Sequence, residues 1–232
     1  MDLTVVITNW LRPKNTIRVI ETLRGQSLPP KICLWDNSFD RALRPGLIAL
    51  YDNYLAVHSS LNYKCEARWF LAAHADTDYV AILDDDLMPS DAEVLSDTVA
   101  ALKRLDGAPV GAWGVQLEEG KRYHQCRHLG ENLNGRRYEP VAADTPVNII
   151  RGRFYAVATE RLSKLPMRLP ELDDDIAVSA CLGGGIVLAS LQGRFTELPT
   201  GAESIACRSA HMQKREAARR QWFKQPVAAA QI

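Results

Sequence analysis

The stretch Tyr79-Val-Ala-Ile-Leu-Asp-Asp-Asp86 decides how this chain reads. Its first five residues form an apolar run without alternation, which is the pattern of a strand buried on both faces. The run stops abruptly at Asp84, Asp85 and Asp86. Three carboxylates at the carboxyl end of a buried strand stand where open α/β sheets bind their ligands. Carboxylates are hard oxygen ligands and suit Mg²⁺ or Mn²⁺ carrying substrate phosphates. The competing account is a solvated loop leading into a helix that begins near Pro89-Ser90-Asp91.

Working outward, strands and helices alternate. Leu3 to Thr8 reads as a buried strand, Asn15 to Arg24 as a helix, and Lys31 to Trp35 as a second strand. Leu55 to His58 is a third strand, and Asn62 to Ala75 a helix that delivers the chain to Tyr79–Leu83, the fourth. A helix from about Asp91 to Leu105 and a strand Val110–Val115 follow. Residues 118–140 read as a long basic loop or hairpin, and Val147 to Ala158 as a strand. Glu160–Leu165 reads as a short helix, Asp173–Leu182 as a helix, and Ile186–Ser190 as a return to the sheet. This alternation predicts a single-domain α/β fold with a mostly parallel sheet flanked by helices.

Composition narrows the class. With 232 residues and 47% hydrophobic content the chain can bury one sizeable core. No stretch approaches 18 consecutive apolar residues, and the first residues run straight into a strand, so neither a membrane span nor a secretory leader is expected. Five widely spaced cysteines without a CxxC pair suit reduced thiols in a cytoplasmic compartment. The formal net charge is zero, yet Lys121, Arg122, Arg127, Arg136 and Arg137 share a stretch whose only acid is Glu131. Arg208, Lys214, Arg215, Arg219, Arg220 and Lys224 make a second basic cluster against Glu216. Such clusters are solvated faces or sites for anionic ligands.

Polar residues follow several strand ends: Thr8 and Asn9, then Asp36 and Asn37, then the acidic triplet. In a doubly wound sheet these ends line one crevice. They supply an amide or carboxylate for a base, a partner for a ribose, and a metal site for a pyrophosphate. Neither GxGxxG nor GxxxxGK[ST] is present, so a diphosphate would be held by metal and basic side chains.

In motif order the chain resembles nucleotide-sugar glycosyltransferases of the GT-A (Rossmann-like) fold, most closely the exostosin-like branch. The resemblance rests on Val6-Ile-Thr-Asn-Trp-Leu-Arg12, Leu34-Trp-Asp-Asn37, Asn62 through Arg68 and Leu83-Asp-Asp-Asp86. It continues through Asp174-Asp-Ile-Ala177 and the segment Cys207 to Arg215, where Arg215 follows His211 by four residues. It implies a metal-dependent transferase (hexosyl- or N-acetylhexosaminyl-type) using a UDP-sugar and Mn²⁺ or Mg²⁺. Residues 1–90 would form the nucleotide-sugar half and 91–232 the acceptor half. Asp84, Asp86 and His211 would meet the metal, with Asp84 or Asp85 also on ribose. Thr8, Asn9, Arg12, Asp36, Asn62 and Arg68 would surround uridine and donor sugar, and Arg215 would offset charge on the leaving UDP. Asp175, with Asp174, would serve transfer: as general base in an inverting enzyme, or stabilising an oxocarbenium-like centre in a retaining one, which the branch implies. The plainer account is that Asp173–Asp175 complements the dipole of the helix it opens, a task needing one acid.

Two other classes compete. A sugar-nucleotide nucleotidyltransferase would open with a glycine-rich loop, which Thr8-Asn-Trp-Leu-Arg12 lacks, and a non-catalytic nucleotide-sugar-binding protein would bind without turnover. For the acceptor, aromatics and basic residues interleave in Lys121-Arg-Tyr-His-Gln-Cys-Arg-His128 and Asn134-Gly-Arg-Arg-Tyr138. That suits an anionic partner, either a glycan or DNA carrying hydroxymethylated pyrimidines.

Overall fold

The protein is described by a computed structural model covering residues 2–38, 54–133, 138–166, 169, 173–200 and 211–223. Strand β1 (Leu3–Asn9) lies at the centre of its architecture. It pairs in parallel with β2 (Lys31–Asp36) on one side and with β4 (Tyr79–Asp84) on the other. The helix α1 (Pro13–Arg24) separates β1 from β2, and β3 (Tyr54–His58) extends the sheet beyond β2 in parallel. Short α2 (Ala67–Ala72) then returns the chain to β4.

The far half of the sheet reverses. β11 (Phe154–Ala158) pairs antiparallel with β4 and with β6 (Val110–Gly111). β12 (Gly185–Val187) runs parallel to β6 and antiparallel to β9 (Thr145–Val147). The sheet order is β3-β2-β1-β4-β11-β6-β12-β9, with four of its seven pairings parallel. A single α/β domain is thus built on one mostly parallel sheet.

Burial explains the apolar runs. Leu3, Val5 and Ile7 of β1 enter the core beneath α1 and α3 (Val94–Arg104), whereas Val6 points to the opposite face. That face is covered by Trp69, Leu71 and Ala72 of α2 and by Ala177 and Val178 of α4 (Asp174–Leu182). Helices on both sides remove any need for alternation.

Two strands expected as continuous are broken. The 110–115 segment divides into β6 and β7 (Gly114–Gln116), and 147–158 divides into the end of β9, β10 (Ile149–Ile150) and β11. β7 and β10 form a small second sheet with β8 (Arg127–Leu129), and β5 (Leu87–Pro89) pairs with β13 (Phe195–Glu197). The helix expected over Asn62–Ala75 is confined to Ala67–Ala72, because Asn62 Oδ1 closes a local turn on the Lys64 amide. The basic 118–140 loop contains β8 and a 3₁₀ turn at Tyr123–Gln125. A helix absent from the sequence reading, α5 (His211–Trp222), packs against α4 and that turn.

Candidate active site

The order of strands creates the site. After β1 the chain adds β2 and β3 on one flank, then crosses to add β4 on the other, so the crevice opens at the carboxyl ends of β1 and β4. Asp84 ends β4 opposite Thr8 in register, and Asp85 and Asp86 follow. The Arg12 Nη1 donates to Asp85 Oδ1 and to Asp86 Oδ2, both at 2.8 Å, and the Trp10 amide donates to Asp85 Oδ2. Burial pushes the Asp85 carboxyl up to about 7 against the pull of Arg12. Burial, with Asp84 beside it, pushes Asp86 up to about 6 although Arg153 and Arg12 oppose.

The second triplet stands across the crevice at the start of α4. Asp173 precedes the helix in a left-handed conformation (φ 65°), which a short polar side chain tolerates better than most. Its carboxylate does not cap α4; Oδ1 instead accepts Arg215 Nη1 at 3.1 Å. Asp174 Oδ2 accepts Arg68 Nε at 2.9 Å and the Trp69 indole N–H. Asp175 Oδ2 accepts Arg215 Nη2 at 2.9 Å and the Gly152 amide at 3.2 Å, with Arg151 Nε at 3.8 Å. Every member of the triplet therefore has a cationic partner, with Arg215 shared between Asp173 and Asp175, and the dipole account does not explain them.

The carboxyls of this triplet are driven apart. Burial would raise Asp175, but Arg215 and then Arg151 hold it down at about 2. Burial wins at Asp173, which rises to about 6, and Asp174 is also raised by burial despite Arg68. Divergent carboxyls in one cleft are a mark of divided chemical labour.

Two links join the triplets. Arg68, 5% exposed, binds Asp174 through Nε while its Nη1 donates to Asp84 Oδ1 and to the Gly152 carbonyl, both at 2.9 Å. The second link is the turn Arg151-Gly152-Arg153 between β10 and β11. Gly152 touches both Asp175 and Arg68, and a Cβ there would come within 2.4 Å of Arg68 Nη2. Arg153 Nη2 donates to Glu197 Oε1 at 2.7 Å and lies 3.7 Å from Asp86 Oδ1. Arg151, Gly152, Arg153 and Glu197 were not singled out in sequence. Arg-Gly-Arg inside an otherwise apolar strand was a readable break signal, whereas Glu197 carries no local signal and arrives only through the β13–β5 pairing.

The remaining expected residues are placed as follows. Asn9 is fully buried and donates to Asp36 Oδ1 at 2.8 Å; its own Oδ1 accepts Thr16 Oγ1 and the Arg12 amide. Asp36 also accepts the Ser38 amide and hydroxyl and meets His58 Nδ1, and those bonds, led by Ser38, lower its carboxyl despite burial. Asn9, Asp36 and Arg68 are thus engaged inside the protein and shape the crevice wall. The Thr8 hydroxyl is buried with no hydrogen-bond partner among the described residues. His211 opens α5 one helical turn before Arg215, on the same face.

A divalent cation finds a partial fit. Asp86 Oδ1 and Glu197 Oε2 are buried without hydrogen-bond partners among the described residues, and the Asp84 side chain keeps 33% exposure. Asp84 and Asp86 could thus hold an ion whose other positions are filled by substrate phosphate and water, the usual arrangement for Mg²⁺. Among the described residues no three His, Cys, Asp or Glu side chains stand close enough to share an ion, so His211 does not converge with Asp84 and Asp86 into a protein-only cage.

Among the described residues, several members of the basic clusters pair with acids. Lys121 pairs with Glu118, Arg127 with Glu139, and Arg219 and Arg220 with Glu216. Tyr123 and Tyr138, the tyrosines interleaved with the first basic stretch, are buried. Arg136, Arg137, Cys207, Arg208 and Lys224 lie outside the described residues.

Residues 4–163 match the model of glycosyl transferase family 2, well over half the chain. The chain belongs to glycosyl transferase family 2. Membership is shown at that level; the match does not by itself show the exostosin-like branch that the motif order resembles. Among solved structures this family 2 chain is similar to S. aureus TarS 1–349 in complex with UDP-GlcNAc, with a TM-score of 0.66 and 15% identity. That likeness covers 92% of this chain and 61% of TarS 1–349, so the chain spans about three fifths of that structure's length. It is also similar to the mannosyltransferase PcManGT from Pyrobaculum calidifontis in complex with GDP-Man and Mn²⁺, with a TM-score of 0.56 and 16% identity over 96% of this chain and 62% of that one. Identities this low carry the GT-A fold alone. No curated protein sequence matches the chain.

Proposed function

We propose that the protein transfers a sugar from a UDP-sugar to an acceptor hydroxyl, with the two acidic triplets dividing the work. The observation that carries this reading is their convergence at the switch point of a family 2 fold, joined by Arg68 between Asp84 and Asp174. Residues 1–90 would supply most of the donor side and 91–232 most of the acceptor side.

On the donor side, Thr8, Arg12 and Asn62 border the nucleotide, with Asn9, Asp36 and Arg68 holding the wall behind them. A cation there is supported by Asp86 Oδ1 and Glu197 Oε2, buried without hydrogen-bond partners among the described residues, and by the partly exposed Asp84. A negative diphosphate approaching these carboxylates needs a positive counter-charge. When bound at Asp84 and Asp86, Mg²⁺ or Mn²⁺ would neutralise the leaving diphosphate.

On the acceptor side, Asp175 takes the proton from the incoming hydroxyl as its oxygen attacks the anomeric carbon. The bond from that carbon to the diphosphate breaks, and its electron pair leaves with UDP. Asp175 is held ionised, as a base requires, though a carboxylate held at about 2 is a weak one. Sharing Arg215 with the departing diphosphate loosens its hold on Asp175 and strengthens the base as charge leaves. This reading gives inversion at the anomeric carbon; a retained product anomer by NMR would move Asp175 to oxocarbenium stabilisation.

The pairing of Lys121 and Arg127 with acids lowers the net positive charge that the described part of residues 121–137 would offer an anionic acceptor, a glycan or hydroxymethylated DNA, whose hydroxyl would have to reach Asp175. The free thiols of Cys33, Cys65, Cys126 and Cys181 support a reducing, cytoplasm-like compartment, and among the described residues no helix is long and apolar enough to cross a membrane. The test is release of free UDP from a panel of UDP-sugars with Mn²⁺ or Mg²⁺. Turnover that Asp86→Asn abolishes supports the reading; binding without turnover returns the protein to a nucleotide-sugar binder. Pyrophosphate exchange would identify a nucleotidyltransferase.

A further inference from the structure

Tyr123 contacts both of the cations that flank Asp175. It is fully buried, yet it sits in a 3₁₀ turn of an otherwise polar segment and not on a strand or helix of the main core. Its hydroxyl accepts Arg151 Nη1 at 3.1 Å, and the Arg215 guanidinium carbon lies 4.8 Å from its ring centroid. Those two arginines are the cations closest to Asp175 Oδ2. The Tyr123 amide donates to Glu216 Oε2 at 2.7 Å, tying the turn to α5 one residue beyond Arg215. His128 stacks edge-on against the ring at 5.3 Å and meets the Tyr123 carbonyl through Nε2.

We propose that Tyr123 is a positioning residue for sugar transfer: it holds Arg151 through its hydroxyl and Arg215 through its ring face, and so fixes both cations against Asp175. This rests on Asp175 being the transferring carboxylate. The chemistry suits the two ends of a tyrosine, because a phenolic oxygen accepts a guanidinium N–H while the ring face attracts a second guanidinium. A core aromatic without this role would need neither contact. The geometry also explains why a buried tyrosine occupies a basic stretch: Lys121, Arg122 and Arg127 face outward while Tyr123 turns under α5. Asp175 is faced by Arg215 from α5, Arg151 from the β10–β11 turn, Asp173 and Asp174 from its own element, and Tyr155 and Cys65 from the neighbouring β11 and α2 approach. The two arginines, together with the Gly152 amide, lower its proton affinity, and Tyr123 contacts both arginines.

The test is the titration of Asp175 in the full chain, read by ¹³C NMR of labelled aspartate carboxyls and assigned with Asp175→Asn. Tyr123→Phe removes one hydroxyl, keeps the ring, and guards against a folding failure; Tyr123→Leu removes both contacts. The expected midpoint for Asp175 rises by about one pH unit or more in Tyr123→Leu, the scale of losing a nearby opposite charge, and by less in Tyr123→Phe. Where Tyr123→Leu fails to fold, the rise in Tyr123→Phe alone decides. An unchanged midpoint in folded Tyr123→Phe and Tyr123→Leu, or in Tyr123→Phe where only that folds, overturns the inference. The readout needs no turnover, so a wild type that releases no UDP would sink the transferase reading while leaving the Tyr123 result standing on its own.

Discussion

Asp84–Asp86 and Asp173–Asp175 are the same tripeptide in two surroundings. In the first, Arg12 spans Asp85 and Asp86, Arg68 bonds Asp84, and Arg153 stands further off from Asp84 and Asp86, while Asp86 keeps a buried oxygen without a hydrogen-bond partner among the described residues. In the second, Arg68 serves Asp174 while Arg215 serves Asp173 and Asp175, with Arg151 in reserve. Burial raises Asp85 and Asp86 to about 7 and about 6, and in the second triplet it raises Asp173 and Asp174 as well, whereas of that triplet Asp175 alone falls, to about 2. The first triplet keeps a partly exposed carboxylate and a buried carboxylate oxygen without a hydrogen-bond partner among the described residues, and is suited to receive a cation; the second already has a carboxylate fixed in its ionised form. Environment, not composition, assigns the roles.

The comparison breaks most severely at the residue that joins the two. Arg68→Met leaves Asp174 buried beside Trp69 without its cation, and the expected loss is about 3–5 kcal/mol of folding free energy. Denaturant melts of Arg68→Met and of Arg68→Met/Asp174→Asn check this, because neutralising Asp174 should recover part of the loss. A single variant as stable as wild type would show that the link is not structural.

Asp175→Asn comes next, with an expected fall in turnover of at least about 10²-fold, the scale of a positioned acid–base group. UDP affinity should stay near wild type by calorimetry. A normal rate would return Asp173–Asp175 to a scaffolding role.

These assignments were only partly legible in sequence. Leu3–Asn9, Lys31–Asp36 and Tyr79–Asp84 declare themselves because strands buried on both faces are continuous apolar runs. Both triplets could be seen, since like charges in series are conspicuous. The Arg151-Gly152-Arg153 turn was absorbed into a single strand over Val147–Ala158, because apolar residues on either side outweighed the break. Glu197 was invisible, being joined to Asp86 only through a long-range strand pair. Helix α5 was missed because Arg215 is its only buried residue, so it has no apolar stripe for periodicity to find. The basic 121–137 stretch shows the reverse limit: the acids that pair with Lys121 and Arg127, Glu118 and Glu139, flank it in sequence and meet it only in space.

pH sharpens the contrast further. An unfolded aspartate titrates near 3.9. Asp85 and Asp86 bind protons more tightly when folded, so their contribution is present at low pH and is lost as pH rises through about 6 to 7. Asp175 has the opposite sign: its contribution is full above about 4 and is lost as pH falls towards 2. Thermal melts should therefore show Mn²⁺ raising the melting temperature more at pH 8 than at pH 5, since the ion must displace protons at the lower pH. Equal shifts at both values would separate the cation from Asp84–Asp86.

The smallest effect is expected at the surface. Arg127→Ser breaks an exposed pair with Glu139 and should change stability by less than about 0.5 kcal/mol. UDP-sugar hydrolysis should not change. A large loss of acceptor use, steepened at low salt, would restore residues 121–137 as an anionic-acceptor surface.

The division of labour between the triplets is tested most directly by calorimetry of UDP binding with Mn²⁺ to Asp86→Asn and Asp175→Asn, alongside donor turnover for each. The account predicts that Asp86→Asn weakens Mn²⁺-dependent UDP binding by at least about tenfold, while Asp175→Asn binds UDP like wild type and turns over poorly. Equal losses of UDP affinity in both variants, or wild-type affinity in Asp86→Asn, would contradict it.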